Sequence, residues 1–306
     1  MNVRNKTTPV KKYTFTVGKD AAPQRIDKVI PQHLDAMSRE KSRKAIQTGA
    51  VWVNKCRVQV LSKNIFPGDT VTVYRGREGW GKHYEADENN ILYHDDWLIL
   101  YRKEPSVPTQ GIVCDNYNNL YAALSRYIKK RTPLPYLGMH HRLDMDTSGV
   151  VLFTLSKKIN RSIHYQFKDR RIKKTYLALV RGTPGFDRVS LTTYINRHEG
   201  RYVCTKDGPG KTATTQFTRV ADFEGYSLVR AQPATGRTHQ IRLQLAFLDL
   251  PILGDRLYGT EDSHALPRTM LHAESLTVFH PLTKKELTIQ ADLFDDMKCF
   301  LPSGYP

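Results

Sequence analysis

Two short amphipathic segments open the pattern of apolar and polar positions along the chain. In the first, apolar residues recur at helical spacing, at Ile26, Val29, Ile30 and Leu34. In the second, a helical pattern begins near Ser38 and stops at Gly49, residue types that commonly cap a helix at its start and its end. The pattern therefore predicts two short helices near the N-terminus.

Alternation of period two follows the second predicted helix. Two short runs within residues 51–58 flank the polar pair Asn54-Lys55, which predicts a hairpin. A Pro-Gly-Asp turn at 67–69 precedes a predicted strand over 70–74. The second predicted helix carries four basic residues, Arg39, Lys41, Arg43 and Lys44. Two helices and a hairpin with this charge favour a small RNA-binding module, with an unrelated basic cap as the alternative.

From about residue 90 onward the pattern is rich in strands. Strands are predicted over 91–93, 97–101, 150–155, 176–180, 189–195, 212–221, 226–231, 276–279 and 286–290. One apolar face at helical spacing predicts a helix over 117–131, and residues 222–225 predict a turn between two strands. This content predicts an α+β fold with a mostly antiparallel central sheet flanked by helices.

The 306 residues are enough for about two domains. We expect a loose basic tail over 1–11 and the small N-terminal α/β module over 12–75. Three glycines and mixed charges predict a linker over 76–89. The larger domain would then occupy 90–306.

Charge points to a polyanionic partner. Lys and Arg number 47 against 30 Asp and Glu, a net charge of +17, which favours nucleic acid over a merely solvated basic surface. The four cysteines are far apart and form no CxxC pair, so neither a zinc ribbon nor a disulfide framework is expected. Apolar runs are too short for a membrane span, and no secretory signal pattern follows the basic N-terminus, so we expect a soluble, cytoplasmic protein and, by default, a monomer.

A polar loop over 138–149 directly precedes an apolar strand, which places side chains at an exposed edge. Three interpretations of this loop stay open from spacing alone. The first is a metal site that uses His140, His141, Asp144 and Asp146. The second is a nucleophile loop that uses Ser148 or an aspartate, and the third is a turn held by side-chain hydrogen bonds.

A second informative stretch covers 236–245. A glycine is followed by a helical run with Ile241, Leu245 and Leu248 on one side and with Arg237 and Arg242 off that side. Arginines at a helix start are suited to bind phosphate or carboxylate groups. A solvent-exposed helix with ordinary surface arginines is the alternative.

Five stretches then occur in a fixed order. They are His141-Arg142-Leu143-Asp144 with Thr147-Ser148-Gly149, then Lys174-Thr175-Tyr176, then 236–242, then 251–259, then Leu271-His272-Ala273. The series, over about 90–300, resembles the HRLDxxTSG family of pseudouridine synthases that modify large-subunit ribosomal RNA and some transfer RNA. The N-terminal module resembles the αL RNA-binding domain first described in a small-subunit ribosomal protein. Residues 102–105, Arg-Lys-Glu-Pro, depart from the usual Asn-Lys-Pro, so no role is carried over to that loop.

The resemblance implies a central antiparallel sheet with a basic cleft across it and assigns roles around an extruded uridine. Asp144 would be the essential carboxylate, Arg242 its partner, and Tyr176 the ring that stacks on the base. Asp146 falls at a variable position of the motif. Further substrate contacts are implied at Arg142, Leu271, Lys174, Arg237 and His239. A basic run before Tyr176 is suited to adjacent phosphates or forms a solvated face.

The implied reaction breaks the N1–C1′ bond of uridine, turns the base and rejoins it through C5. Because no redox step or group donor is involved, no cofactor and no metal are expected. An ionised carboxylate would stabilise or attack C1′, and the departing uracil returns as the nucleophile. Ribosomal RNA is the expected partner and transfer RNA the second choice. The competing hypotheses are a non-catalytic RNA-binding or assembly factor and, at lower weight, a metal-dependent nuclease.

Overall fold

A computed structural model describes residues 10–19, 22–76, 79–260 and 265–302. These residues fall into two compact units. The first unit takes in the described residues of Met1–Ala86 together with Pro108–Arg131, and the second those of Asp87–Val107 and Thr132–Pro306.

The helices are α1 (Ile26–His33), α2 (Arg39–Thr48), α3 (Leu120–Lys129), α4 (Lys157–Lys168), α5 (Gln240–Phe247) and α6 (Asp295–Lys298). The strands are β1 (Lys11–Thr16), β2 (Gln24–Arg25), β3 (Val51–Val53), β4 (Cys56–Val58), β5 (Asn64–Ile65), β6 (Thr70–Arg75), β7 (Ile91–His94), β8 (Leu98–Lys103), β9 (Gly138–Met139), β10 (Ser148–Thr154), β11 (Lys173–Arg181), β12 (Arg188–His198), β13 (Arg201–Thr205), β14 (Lys211–Phe223), β15 (Tyr226–Pro233), β16 (Leu271–Phe279) and β17 (Glu286–Gln290).

Local signals fixed the elements of the first unit. The Ser38 hydroxyl caps α2 by accepting from the Lys41 amide at 3.2 Å, and Gly49 ends the helix in the left-handed conformation. Asn54 and Lys55 both have positive φ, the geometry of a tight hairpin turn, so the predicted hairpin is confirmed. The two hairpin strands, β3 and β4, belong to a four-stranded antiparallel sheet in the order β1-β6-β3-β4.

The bounds of the first unit differ from those predicted. Residues 79–86, expected in a linker, belong to it, because the Trp80 ring is buried in its core and the Trp80 indole donates to the Tyr74 carbonyl at 2.9 Å. The predicted helix over 117–131 is shortened to α3 and also belongs to this unit. The predicted tail lies mainly outside the described residues, but Lys11 is already the first residue of β1.

The second unit is built on one large sheet, and the predicted α+β class is confirmed. Its strands follow the order β13-β12-β14-β15-β11-β16-β10-β8-β7, with β17 paired to β16 and β9 to β10. Among the described strands of this sheet, only β10 and β16 pair in parallel. The loop before β10 therefore lies at the same sheet end as the first residue of β16.

Sequence reasoning missed β13 and α4 in this unit, as well as the short elements β9 and α6. Helix α4 has Ile159 and Ile163 four residues apart on its buried side and a Ser156 cap at its start, so the helical signal was present. Edge strand β13 has no fully buried residue, and without a buried face its alternation carries little signal. Within the described residues, no helix is both long and apolar enough to cross a membrane.

Candidate active site

The loop that carries Asp144 is held from both sides by buried cations. Lys103 donates to the Met145 carbonyl at 2.9 Å, and Arg268 Nη1 donates to the Asp146 carbonyl at 3.3 Å. Both cations are almost fully buried, and Lys103 also donates to the carbonyls of Glu104 and Val107. The loop that follows Asp144 is thus fixed by two residues that sequence reasoning left without a role. One of them, Lys103, is the last residue of β8 and lies in the stretch where the motif departs.

The serine and glycine of the motif are structural. Ser148 Oγ lies 2.8 Å from His272 Nδ1, and the other ring nitrogen of His272 lies 3.0 Å from the Ala291 carbonyl. Since that carbonyl only accepts, His272 carries its proton on Nε2 and accepts from Ser148. Both side chains are fully buried, so the nucleophile interpretation of Ser148 is wrong. A Cβ at Gly149 would lie 2.2 Å from the Ala273 carbonyl oxygen, so only glycine fits this parallel strand pair.

Arg242 joins two carboxylates. Its Nη1 donates to Asp144 Oδ2 at 3.0 Å, while Nε and Nη2 form a bidentate pair with Asp255, both at 2.7 Å. Burial by itself would lower the pKa of Arg242, but the two carboxylates outweigh burial and raise it above the usual value. Burial likewise tends to raise the pKa of Asp255, yet the hydrogen bonds and charge of Arg242 hold it below the ordinary value. Arg242 is therefore a permanent cation in a fixed orientation beside Asp144.

Helix α5, which carries Arg242, is buried on nearly all sides. Its residues from Gln240 to Leu245 are all buried, which rules out for Arg242 the alternative of a solvent-exposed helix with ordinary surface arginines. The side-chain amide of Gln244 forms hydrogen bonds with Thr193, Ala213 and Thr215. These partners on β12 and β14 satisfy the polar group that water would otherwise solvate. Periodicity cannot recognise such a face because its polar residues find their partners on distant strands.

Tyr176 lies at the end of the sheet where the Asp144 loop precedes β10. It pairs across strands with Ala273, and Ala273 pairs with Gly149, which places Tyr176 and the Asp144 loop at one edge. Burial, and secondarily the negative charge of Asp144, raise the pKa of the Tyr176 phenol well above its usual value. The phenol is therefore protonated at neutral pH.

His239, the residue before α5, lies beside the Asp144 carboxylate. Its backbone is left-handed, with φ of 55°, its Nδ1 lies 2.8 Å from the Tyr258 hydroxyl, and its Nε2 lies 3.7 Å from Asp144 Oδ2. Burial lowers the pKa of His239, against the opposing charge of Asp144. The ring is then neutral at pH 7, and Arg242 is the charged partner of Asp144.

A cleft of about 610 Å³ contains every residue that the sequence assigned to the site. It is lined by Asp144, Tyr176, Arg242 and Leu271 and by the predicted substrate contacts Arg142, Lys174, Arg237 and His239. Lys168 and Arg170 line it as well, whereas Asp144 is the sole carboxylate among the described lining residues. Arg142 is exposed, and Arg237 is half-buried with its Nε bonded to the Thr212 carbonyl at 3.0 Å. The cleft is strongly electropositive and suits an anionic strand.

The two motif histidines serve the backbone and side chains around them. His141 Nε2 accepts from the Leu152 amide at 2.9 Å, and His140 Nε2 lies 3.2 Å from the Thr154 hydroxyl. In the part of the chain that the structure describes, no three His, Cys, Asp or Glu side chains are grouped as metal ligands. This geometry gives the metal-site interpretation no support. Asp146 is half-buried in the loop and does not line the cleft.

Comparison with known proteins identifies this arrangement. The family model described as RNA pseudouridylate synthase matches residues 97–247. The ribosomal large subunit pseudouridine synthase C of Buchnera aphidicola subsp. Schizaphis graminum is 30% identical over 311 aligned positions, which cover 95% of this chain and 96% of the relative. The chain belongs to the RNA pseudouridylate synthase family. The protein of the same name from Escherichia coli (strain K12) is 29% identical, with 97% of both chains covered.

Solved structures agree with this membership. Human RNA pseudouridylate synthase domain containing 1 superposes with a TM-score of 0.57 at 25% identity and covers 72% of this chain and 89% of its own. Human RNA pseudouridylate synthase domain containing 4 has the same fold, with a TM-score of 0.58, 24% identity and coverage of 68% and 90%. This RNA pseudouridylate synthase therefore isomerises uridine to pseudouridine in RNA.

Proposed function

We propose that this pseudouridylate synthase modifies uridines of large-subunit ribosomal RNA, with Asp144 as the catalytic residue. The printed names of relatives that align over nearly the whole chain support the ribosomal target. The observation that carries the assignment of Asp144 is its position. It is a carboxylate held by Arg242 at 3.0 Å in a cleft whose other charged lining residues, among those described, are lysines and arginines.

Asp144 would act on the sugar. As the N1–C1′ bond breaks, positive charge develops at C1′, and a carboxylate placed against it stabilises that charge or forms a bond to carbon. The freed uracil keeps the bonding electron pair, turns in the pocket and forms the new bond from C5 to C1′. Where the carboxylate has bonded to C1′, that bond breaks in the same step and the carboxylate leaves with its electron pair. The proton on C5 then leaves and N1 gains one, so the product is an isomer of the substrate.

The number of carboxylates favours isomerisation over hydrolysis. Glycosidases use a second carboxyl group to protonate a leaving group or activate water. Among the described residues lining this cleft, Asp144 is the sole carboxylate. A reaction whose leaving group is also the returning nucleophile needs no second one. Arg242 would hold Asp144 in place, and Arg142 would occupy the space from which the nucleotide is extruded, at a cost of a few kcal/mol for unstacking.

Tyr176 and Leu271 would form the pocket for the base, with the Tyr176 ring as a stacking surface. Because the phenol is protonated, Tyr176→Phe should keep kcat/KM within about tenfold, whereas Tyr176→Ala should lose the stacking contribution of about 1–3 kcal/mol. Single-turnover rates on the mapped RNA measure both variants. A loss of about 10²-fold or more in Tyr176→Phe would instead give the hydroxyl a proton-transfer role.

The remaining assignments complete the proposal. Lys174, Arg237 and His239 would contact the substrate in the cleft. The first unit would act as the αL-type RNA-binding domain, supported by exposed Lys41 and Arg43 on α2, although Arg39 and Lys44 are engaged with Asp27 and Glu40. We propose that the enzyme acts as a monomer in the cytoplasm, where ribosomal RNA is found.

Pseudouridine mapping tests the target. Deletion of the gene should remove one or a few pseudouridines from large-subunit ribosomal RNA, and wild-type protein but not Asp144→Asn should restore them. Loss confined to transfer RNA would move the target to that class. If no pseudouridine is lost, the non-catalytic RNA-binding hypothesis would replace the proposal.

A further inference from the structure

Lys174, which is half-buried, differs from the buried cations of the catalytic unit. Lys103 donates to three carbonyls, Arg242 to two carboxylates, and Arg268 to Asp296 and several carbonyls. The Lys174 ammonium has no hydrogen-bond or ion-pair partner among the residues that the structure describes. A charge that is partly removed from water without an acceptor is costly, so the acceptor of Lys174 is expected to arrive with a ligand.

The position of Lys174 shows where that ligand lies. The side chain lines the cleft two residues before Tyr176 on β11, a strand distance of about 6.6 Å. On the opposite wall, a Cβ at Gly236 would lie 3.7 Å from Lys174 Nζ, so the ammonium reaches the loop that precedes α5. The ammonium therefore lies in the cleft beside the loop that precedes α5, within one nucleotide of the ring assigned to the base.

His141 is a second donor near Lys174. Because its Nε2 accepts the Leu152 amide proton, the neutral ring carries its hydrogen on Nδ1, which has no acceptor among the described residues. Burial, followed by the positive charges of Lys174 and His140, lowers the pKa of His141 to about 3. The cleft is thus lined by two donors, one of them charged, that have no acceptor among the described residues, an arrangement suited to an anionic oxygen.

We propose that Lys174 binds the backbone phosphate directly flanking the flipped uridine and so places its C1′ against Asp144. A compact ammonium binds phosphate as a point charge, and the cleft carries no described carboxylate besides Asp144, which Arg242 occupies. Burial lowers the pKa of Lys174 to about 8, so the group is still mostly protonated at neutral pH. The inference rests on the proposed function, since it takes RNA as the occupant of the cleft.

The test is a double-mutant cycle in which the charge of Lys174, the charge of one RNA phosphate, or both are removed and the binding affinities are compared. The probes are an RNA stem-loop with the mapped uridine and two copies with an uncharged methylphosphonate at the 5′ or the 3′ flanking phosphate. Lys174→Met should weaken binding of the native RNA by about 10–100-fold, as expected for a charge-assisted contact in a desolvated site. On one of the two neutralised RNAs, wild type and Lys174→Met should bind equally.

Lys173→Met is the matched control. Lys173 is the neighbouring residue on β11, is exposed and lies 3.8 Å from Glu286, so its loss should change affinity by less than about threefold. If Lys174→Met is equally weakened on all three RNAs, the ammonium contacts the base or another group and the proposal fails. It also fails if Lys174→Met binds native RNA like wild type.

Thermal unfolding of the free protein gives an independent readout. Lys174→Met removes an unpartnered ammonium but keeps the length of the side chain, so the Tm should rise by about 2–4 °C, while Lys173→Met leaves it unchanged. A lowered Tm in both Lys174→Met and Lys174→Gln would show a structural role and overturn the proposal. If wild-type protein binds the RNA without forming pseudouridine, the proposed function fails while the charge cycle still decides the role of Lys174.

Discussion

Asp144→Asn should abolish pseudouridine formation, with kcat reduced by about 10⁴-fold or more, the scale seen when a catalytic aspartate is removed. The amide keeps the shape of the side chain and can still accept from Arg242 through its oxygen, so the cleft should stay assembled. It has no negative charge to offer C1′. RNA affinity should be unchanged or slightly higher, since removal of a carboxylate makes the cleft more positive.

Asp146→Asn is the matched control, because Asp146 lies two residues further in the same loop and does not line the cleft. Its kcat should stay within about threefold of wild type, as for a substitution away from the reacting atoms. Single-turnover conversion of the mapped RNA and equilibrium binding measure both variants. Equal losses in the two variants, or substantial activity in Asp144→Asn, would contradict the assignment.

Asp255→Asn should have the second largest effect, although Asp255 does not line the cleft. Its carboxylate is almost fully buried and accepts two bonds from Arg242, one from the Leu257 amide and one from the Tyr258 amide. An asparagine presents an NH₂ group where the guanidinium requires an acceptor. Arg242 then loses its bidentate anchor, and we expect Asp144 to be misplaced with it.

The expected result is a fall in kcat of about 10²-fold with KM within a few-fold, since misplacement by about 1 Å costs that much. Removal of one partner of a buried ion pair should also lower the free energy of unfolding by about 3–5 kcal/mol. Kinetics measured well below the Tm of the variant separate the two effects. Asp249→Asn, at an exposed residue after α5, is the control and should match wild type. Full kcat in the folded Asp255→Asn protein would show that Arg242 needs no anchor.

Local rules predicted the N-terminal elements well. Helix α2 begins and ends at its cap residues, and the hairpin turns at Asn54-Lys55, because these features depend on neighbours within a few residues. The linker prediction did not hold because composition around Gly79 and Gly81 resembles a flexible segment, whereas Trp80 between them is buried. Burial of the Trp80 ring therefore ordered a segment whose local composition predicted a flexible linker.

The motif order assigned Asp144, Tyr176 and Arg242 from the sequence, and the structure brings all three to one cleft. Their catalytic roles stay predictions. The residues that fix them were not recognised: Asp255 was quoted within a motif but given no role, and Lys103 lies where the motif departs. Both act through partners far along the chain, 13 residues for the Asp255–Arg242 pair and 42 for Lys103 and Met145.

The sequence alone determined which chemical groups are present, their order, and the elements governed by short-range capping and periodicity. Only the tertiary structure decided that Asp255 anchors Arg242 and that Lys174 is left without an acceptor among the described residues. The physical reason is that burial of a charged group is set by its counter-charges. Those arrive through strand register and helix packing, which no local pattern encodes.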